Sequence, residues 1–387
     1  MSSVCGIIDY DSSAFSFDTL NAMAKATRLR GPDLSGAYIK GGVGIQRNGT
    51  STGNEKHSQP FSLTREGHDF VLAFDGEIYN TKELSERLGL IGKLCDEEIL
   101  LEGYIAFGNG LFTFIDGSFA LAICDSRRKE LIIARDKRGA KPLFYTSSGR
   151  AFIFASSIKA LLSSASGCFE ADTAAIREFI LSDIGAMRGS DLYRDIHELP
   201  EGCFAVFSRL GISVCDYKGR TKENRARGSE INTADISASI SLSEALNASL
   251  FAFDHPSFDE YTQSYISALM SVTKRKRITI DDPTFILSER YALERADRLG
   301  ALYGLSLTPT HSENSLSAKK KELRETEKKL TELVGKLFFS DAALRSVLGA
   351  SFFEKILNEK DILRRVRALG MTYQTKLWTE RYSVIPV

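Results

Sequence analysis

The segment Gly117–Ala155, GSFALAICDSRRKELIIARDKRGAKPLFYTSSGRAFIFA, constrains the fold more than any other part of the chain. Two apolar runs, SFALAICD and ELIIARD, flank a charged turn, and a third and fourth flank Ser147-Ser148-Gly149. Short apolar or alternating runs joined by polar turns predict antiparallel hairpins. GAYIKGGVGIQRNG, around Gly41-Gly42, predicts another. Two stretches have helical spacing instead: FDTLNAMAKATRLR (17–30) and DEEILLEGYIAFG (96–108), the second with acidic residues in its first turn. Clustered antiparallel strands with segregated helices give an α+β fold with layered sheets.

The pattern changes after residue 215. Lys218–Ser241 is charged and rich in Ser, which predicts a polar linker over 216–245. Beyond it the periodicity is helical, with Leu323, Leu330, Leu333, Val334 and Leu337 on one face, so 246–387 is expected to be mainly helical. A length of 387 residues accommodates both parts with a core each. Lys+Arg and Asp+Glu are equal at 50, and no apolar run reaches bilayer length. The expectation is a cytoplasmic protein that binds neither nucleic acid nor membrane. The run Lys274–Arg277 reads as a solvated loop.

The six cysteines form no C-x-x-C pair and the five histidines are scattered, so neither zinc nor a disulfide framework is expected, and no metal site. His57 and His197 read as surface or satisfied core residues. Cys5, in MSSVCGIIDYD, has two readings. One is a buried structural thiol. The other is a nucleophile whose own α-amine is its base, which requires Cys5 to be the first residue of the mature chain.

Further motifs follow in order: LRGPDLSGAY, GIQRNG, HSQPF, LAFDGEIYNTKEL, CDEEIL, IDGSFALAICD, ARDKRGAKPLFY and FASSIKALL. Together they resemble the glutaminase domain of glutamine-dependent asparagine synthetases, class II glutamine amidotransferases of the N-terminal nucleophile hydrolase type. The resemblance is dense over residues 4 to about 165 and thin through DLYRDIHELPEGCFAVF. It implies a four-layer αββα sandwich over 1–215. It also implies L-glutamine as substrate, a thioester on Cys5 and release of ammonia, with no cofactor for that step.

Carried over residue by residue, Arg47 holds the substrate α-carboxylate, as a planar guanidinium suits, and Asp96 the α-ammonium. Gly76 and Glu77 contact glutamine, and Asp75 stands at the oxyanion position. Each has a plainer reading: Arg47 a surface strand-end residue, Asp96 a helix N-cap, Asp75-Gly76 a turn. Arg30–Asp33 matches a loop near the glutamine pocket. Arg135 and Asp136 read as a buried ion pair in a framework stretch.

Four departures from the family pattern matter. Met1–Val4 precede Cys5, and ordinary Met removal exposes Ser2 instead. Asp75 replaces an Asn that donates to the oxyanion, and losing one such donor costs about 10²–10³ in rate unless Asp75 is protonated. Asn48-Gly49-Thr50 replaces the usual segment after Arg47. The second part has no S-G-G-x-D-S phosphate loop, so ATP and Mg are expected only if a diverged synthetase site exists. Three readings follow: a glutaminase passing ammonia to a partner subunit, a catalytically impaired binding scaffold, and a diverged complete asparagine synthetase.

Overall fold

The structure, a computed structural model, describes residues 2–10, 16–51, 59–92, 94–148, 151–164, 169–182, 189–217, 229–231, 242, 244–246, 248, 266, 277–281, 292, 295–299, 306–310, 320–382 and 385–386. It divides into two compact units. Met1–Gly167 and Ile196–Ala226 form the first; Cys168–Asp195 and Arg227–Val387 form the second. The sequence reading set its first boundary at 215; the segment 168–195, read there with the first part, sorts with the second unit. Most of the expected linker lies outside the described residues.

In the first unit the strands are β1 (Ser2–Asp9), β2 (Leu34–Lys40), β3 (Val43–Gly49), β4 (Phe61–Arg65), β5 (His68–Ile78), β6 (Gly117–Asp125), β7 (Glu130–Arg135), β8 (Phe144–Ser148) and β9 (Ala151–Ala155). After β10 (Glu170–Ala171), which belongs to the second unit, come β11 (His197–Glu198), β12 (Cys203–Ser208) and β13 (Gly211–Asp216). They make two six-stranded antiparallel sheets, ordered β11-β8-β9-β1-β3-β2 and β13-β12-β7-β6-β5-β4. The hairpins read from sequence form β2–β3, β6–β7 and β8–β9.

Alternation decides what each sheet buries. Val4, Ile8, Val43, Ile45, Phe152 and Phe154 of the first sheet meet Val71, Ala73, Ala120, Ala122, Ile133 and Phe207 of the second in one core. The opposite face of the second sheet, with Phe70, Leu72, Phe74 and Leu121, packs on α2 (Thr81–Arg87), α3 (Asp96–Phe107) and α4 (Leu111–Phe114). The outer face of the first sheet is covered by α1 (Phe17–Ala26) and α5 (Ile158–Leu162). The layers therefore run α, β, β, α.

The second unit contains α6 (Thr173–Leu181), α7 (Lys320–Ser340), α8 (Ala342–Leu348), α9 (Phe352–Leu357) and α10 (Ile362–Tyr382). It also contains three parallel strands, β14 (Ser229–Ile231), β15 (Arg277–Asp281) and β16 (Ser306–Thr310), and β10 pairs in parallel with β17 (Ile385–Pro386). These strands were absent from the helical expectation; each is five residues or shorter, too short for periodicity to mark. Arg277, read as loop, opens β15. On α7, Leu330 and Val334 are buried as expected, whereas Leu333 is exposed and Phe338 fills the face instead.

Candidate functional site at the end of the inter-sheet layer

The parity of β1 sorts the candidate residues. Val4 and Ile8 point between the sheets, so Ser2 does too, and Ser3, Cys5 and Ile7 point toward the α1 layer. Cys5 lies in mid-strand, flanked across the ladder by Gln46 and Ala155, and is 2% exposed. Burial pushes its thiol up to about 12. On β3 and β5 the same alternation puts Arg47, Gly49 and Asp75 on the inner face with Ser2. The structure thus does not bring Cys5 together with Arg47 and Asp75.

Ser2 is the residue it does bring there. Its Oγ donates to Asp75 Oδ1 at 2.8 Å, and Arg30 Nε donates to its carbonyl at 3.2 Å. Arg30 Nη2 also approaches Asp75 Oδ2 at 3.5 Å, and Lys141 Nζ lies 3.7 Å from Asp75 Oδ1. Asp75 is 1% exposed and therefore needs such partners. Backbone anchors aim Lys141: its N–H donates to Asp136 Oδ2 (3.1 Å) and its carbonyl accepts from Arg135 Nε (2.7 Å). Arg135 forms its ion pair with Glu198 at 2.5 Å rather than serving only its neighbour. Asp136 accepts backbone N–H groups of Phe119, Arg138, Ala140 and Lys141. The two adjacent residues thus hold separate clamps, while the Arg135 charge still acts on the Asp136 carboxyl. Burial raises the Asp136 carboxyl, against the pull of these N–H groups and Arg135.

Arg47, cross-strand from Val4, donates from Nε to the carbonyl of Phe74 at 3.3 Å. Its guanidinium lies over Gly49, where a Cβ would come within 2.5 Å of Nη1. The glycine that departs from the family pattern is therefore the space Arg47 occupies. Gln59 braces the same strand: Oε1 accepts from Phe74 N at 2.9 Å, and Nε2 donates to Glu97.

The end of β5 also meets α3. Asp96 is the first helical residue, not the N-cap; Cys95 caps, with Glu98 accepting from the Cys95 N–H at 2.8 Å. This frees the Asp96 carboxylate to accept from Ile78 N at 3.0 Å. Burial, with Glu97 and Glu77 nearby, raises Asp96 to about 6 despite that bond. Gly76 has φ +155° and a Cβ there would sit 2.2 Å from the Ser118 carbonyl, so only glycine fits. Phe74–Ile78 thus gathers Arg47, Asp75, Gly76, Glu77 and Asp96 along one strand end.

Sequence reasoning missed Ser2, Gln59 and the site role of Lys141. Arg30 and Lys141 stand within motifs read as a nearby loop and as framework; Gln59 stands within HSQPF, a motif to which no site role was given. His197, in β11, packs against Tyr145 of β8 with the rings tilted by 43°, and His57 lies outside the described residues. Among the described residues no group of three or more His, Cys, Asp or Glu could hold a metal, and no helix is long and apolar enough to cross a membrane.

Residues 1–218 match the family described as a glutamine amidotransferase domain. Asparagine synthetase (glutamine-hydrolyzing) 3 of Bacillus subtilis is 28% identical over 223 residues, covering 56% of this chain and 36% of that protein. Asparagine synthetase 2 of the same organism is 35% identical over 168 residues, 42% of this chain and 22% of that protein. A putative asparagine synthetase of Methanocaldococcus jannaschii is 30% identical, covering 42% and 35%. The chain spans only about a fifth to a third of the length of these relatives. Among solved structures, glutamine phosphoribosylpyrophosphate amidotransferase from B. subtilis is 12% identical with a TM-score of 0.44, covering 84% of this chain and 70% of that one.

Proposed function

From the premise that this chain belongs to the glutamine amidotransferase domain family, we propose that its first unit binds L-glutamine and hydrolyses the side-chain amide to glutamate and ammonia. The observation that carries this reading is the gathering of Arg47, Asp75, Gly76, Glu77 and Asp96 around the end of β5. Arg47 offers a fork for the α-carboxylate. Asp96, with Glu77 beside it, offers a negative pocket for the α-ammonium. Asp75 has no proton to give an oxyanion when ionised, but Arg30 and Lys141 at 3.5 and 3.7 Å bring positive charge to the same place. The domain family needs no cofactor for this step, and the ammonia acceptor is read as a partner subunit. The thiols of Cys5, Cys95, Cys124 and Cys215 fit a reducing, cytoplasmic setting.

The test is glutamate release from glutamine by the purified full chain. Arg47→Met and Asp96→Asn should each raise KM for glutamine by about tenfold or more, with folding intact. Absence both of glutamate and of any glutamine-dependent rise in Tm would overturn the reading; a rise in Tm alone leaves a binding scaffold.

A second reading, a diverged synthetase, has one observation in its favour. The parallel β14–β15–β16 sheet is of the kind that α/β crossover folds build. Pyrophosphate release from ATP that depends on aspartate would support it, and its absence would leave ATP and Mg without a role.

A further inference from the structure

Binding glutamine requires that the two charged ends of its amino-acid head be held at one fixed separation, and the inference drawn here rests on that reading of the site. We propose that Gln59 is the positioning residue that ties the carboxylate holder, Arg47, to the ammonium holder, Asp96, so that the two act as one clamp.

The backbone explains why a side chain is used here. β4 pairs with β5 only as far as Phe61 opposite Leu72. Continued by two residues, that register would set residue 59 opposite Phe74, but Pro60 has no N–H with which to extend a ladder. Side chains complete the edge of β5 at Phe74 instead. Gln59 Oε1 accepts from the Phe74 N–H at 2.9 Å, and the Phe74 carbonyl accepts from Arg47 Nε at 3.3 Å. A single residue of β5 thus stands between Gln59 and the Arg47 guanidinium.

The other end of the same amide reaches α3. Gln59 Nε2 donates to Glu97 Oε1, next to Asp96 in the first turn of the helix. Asp96 is fixed separately, its carboxylate accepting from Ile78 N at 3.0 Å. The turn therefore has two points of attachment; with the Ile78 bond alone it could swing about that bond. The Gln59 main chain has a seat of its own. It lies against β2 at Gly36, the residue opposite Arg47, where a Cβ would come within 2.0 Å of the Gln59 carbonyl. Gln59 is 7% exposed, so both ends of its amide need these partners. β2, β5 and α3 all meet at this one residue.

A brace at a strand end would contribute to stability alone. A clamp makes a further demand, that the two head-group contacts be coupled. A misplacement of about 1 Å in one holder can cost about 10²-fold for a ligand that needs both.

The test reads glutamate release by the purified full chain. Gln59→Glu keeps an acceptor for the Phe74 N–H but sets a carboxylate against Glu97. It should break the ammonium arm and spare the carboxylate arm. The expected result is a KM for glutamine raised about tenfold or more, with kcat within about threefold of wild type. Glutaramate, which is glutamine without its α-amine, uses the carboxylate arm alone; as a competitive inhibitor its Ki should stay within about twofold. Combining Gln59→Glu with Glu97→Gln restores the bond with donor and acceptor exchanged, and should return KM to within about threefold of wild type. Gln59→Met, which removes both bonds, covers the case in which Gln59→Glu does not fold, and should raise both the KM for glutamine and the Ki of glutaramate. An unchanged KM in either single variant, a double variant as impaired as Gln59→Glu, or an equal loss of glutaramate and glutamine affinity in Gln59→Glu overturns the role of Gln59 while glutamine hydrolysis stands. A wild type that releases no glutamate removes the glutamine reading and this role with it.

Discussion

At the scale of single residues, two groups have protonation behaviour that the site geometry explains. Asp96 is raised to about 6 by burial beside Glu97 and Glu77. A carboxyl with a raised folded pKa contributes stability at acid pH, and that contribution disappears as pH climbs from the ordinary carboxylate range through about 6. Asp96→Asn should therefore stabilise the unit at pH 7 by about 1–2 kcal/mol, after discounting for partial exposure, with the gain vanishing near pH 4 in denaturant titrations. Glutamine binding should run the other way, weakening below about pH 6 as the ammonium loses its anion; Asp96→Asn should flatten that profile. Cys5 is the second group. A thiol pushed up to about 12 and walled into a sheet should resist iodoacetamide at pH 8 until denaturant opens the sheet, as mass spectrometry would record. The Cys-Gly-Ile motif draws the eye to Cys5, but Ser2 and Cys5 are an odd number of residues apart, and on a strand an odd step reverses the face. A motif carries no parity, so the sequence alone could not separate them.

At the scale of elements, the hairpins were legible because short continuous apolar runs bounded by polar turns mark strands buried on both faces, as in Ala120–Asp125 against Glu130–Arg135. Asp96 was legible as a helix start, but its exact place was not: Cys95 is an uncommon cap, and only the Glu98 side chain returning to its N–H moves the boundary by one. The partner of Arg135 was out of reach, because Glu198 is 63 residues away and joins only once β11 is paired to β8. That pair is buried on both sides, and removing one member strands the other. Glu198→Gln should cost about 3 kcal/mol or more by denaturant unfolding, and should lower turnover because the loop that aims Lys141 loosens. Gly76→Ala meets the Ser118 carbonyl and a disfavoured φ together, so it should destabilise by more than about 1 kcal/mol and raise KM for glutamine.

At the scale of the whole molecule, the family match covers residues 1–218, and most of the second unit lies beyond it. Its buried Trp378, edge-on to Tyr193, and the burial of Leu330, Val334 and Phe338 mark a folded core. Trp378→Ala should cost about 3–5 kcal/mol by chemical denaturation. The parallel strands escaped notice because a strand of three to five residues has too few positions to display a period.

The path of the chain has a consequence of its own. It comes back to the sandwich at Ile196 from a segment that sorts with the second unit, and Glu198 and Leu199, just after its return, grip the guanidinium of Arg135. The ammonium group facing Asp75 is thus kept in place by a stretch that reappears only after an excursion elsewhere.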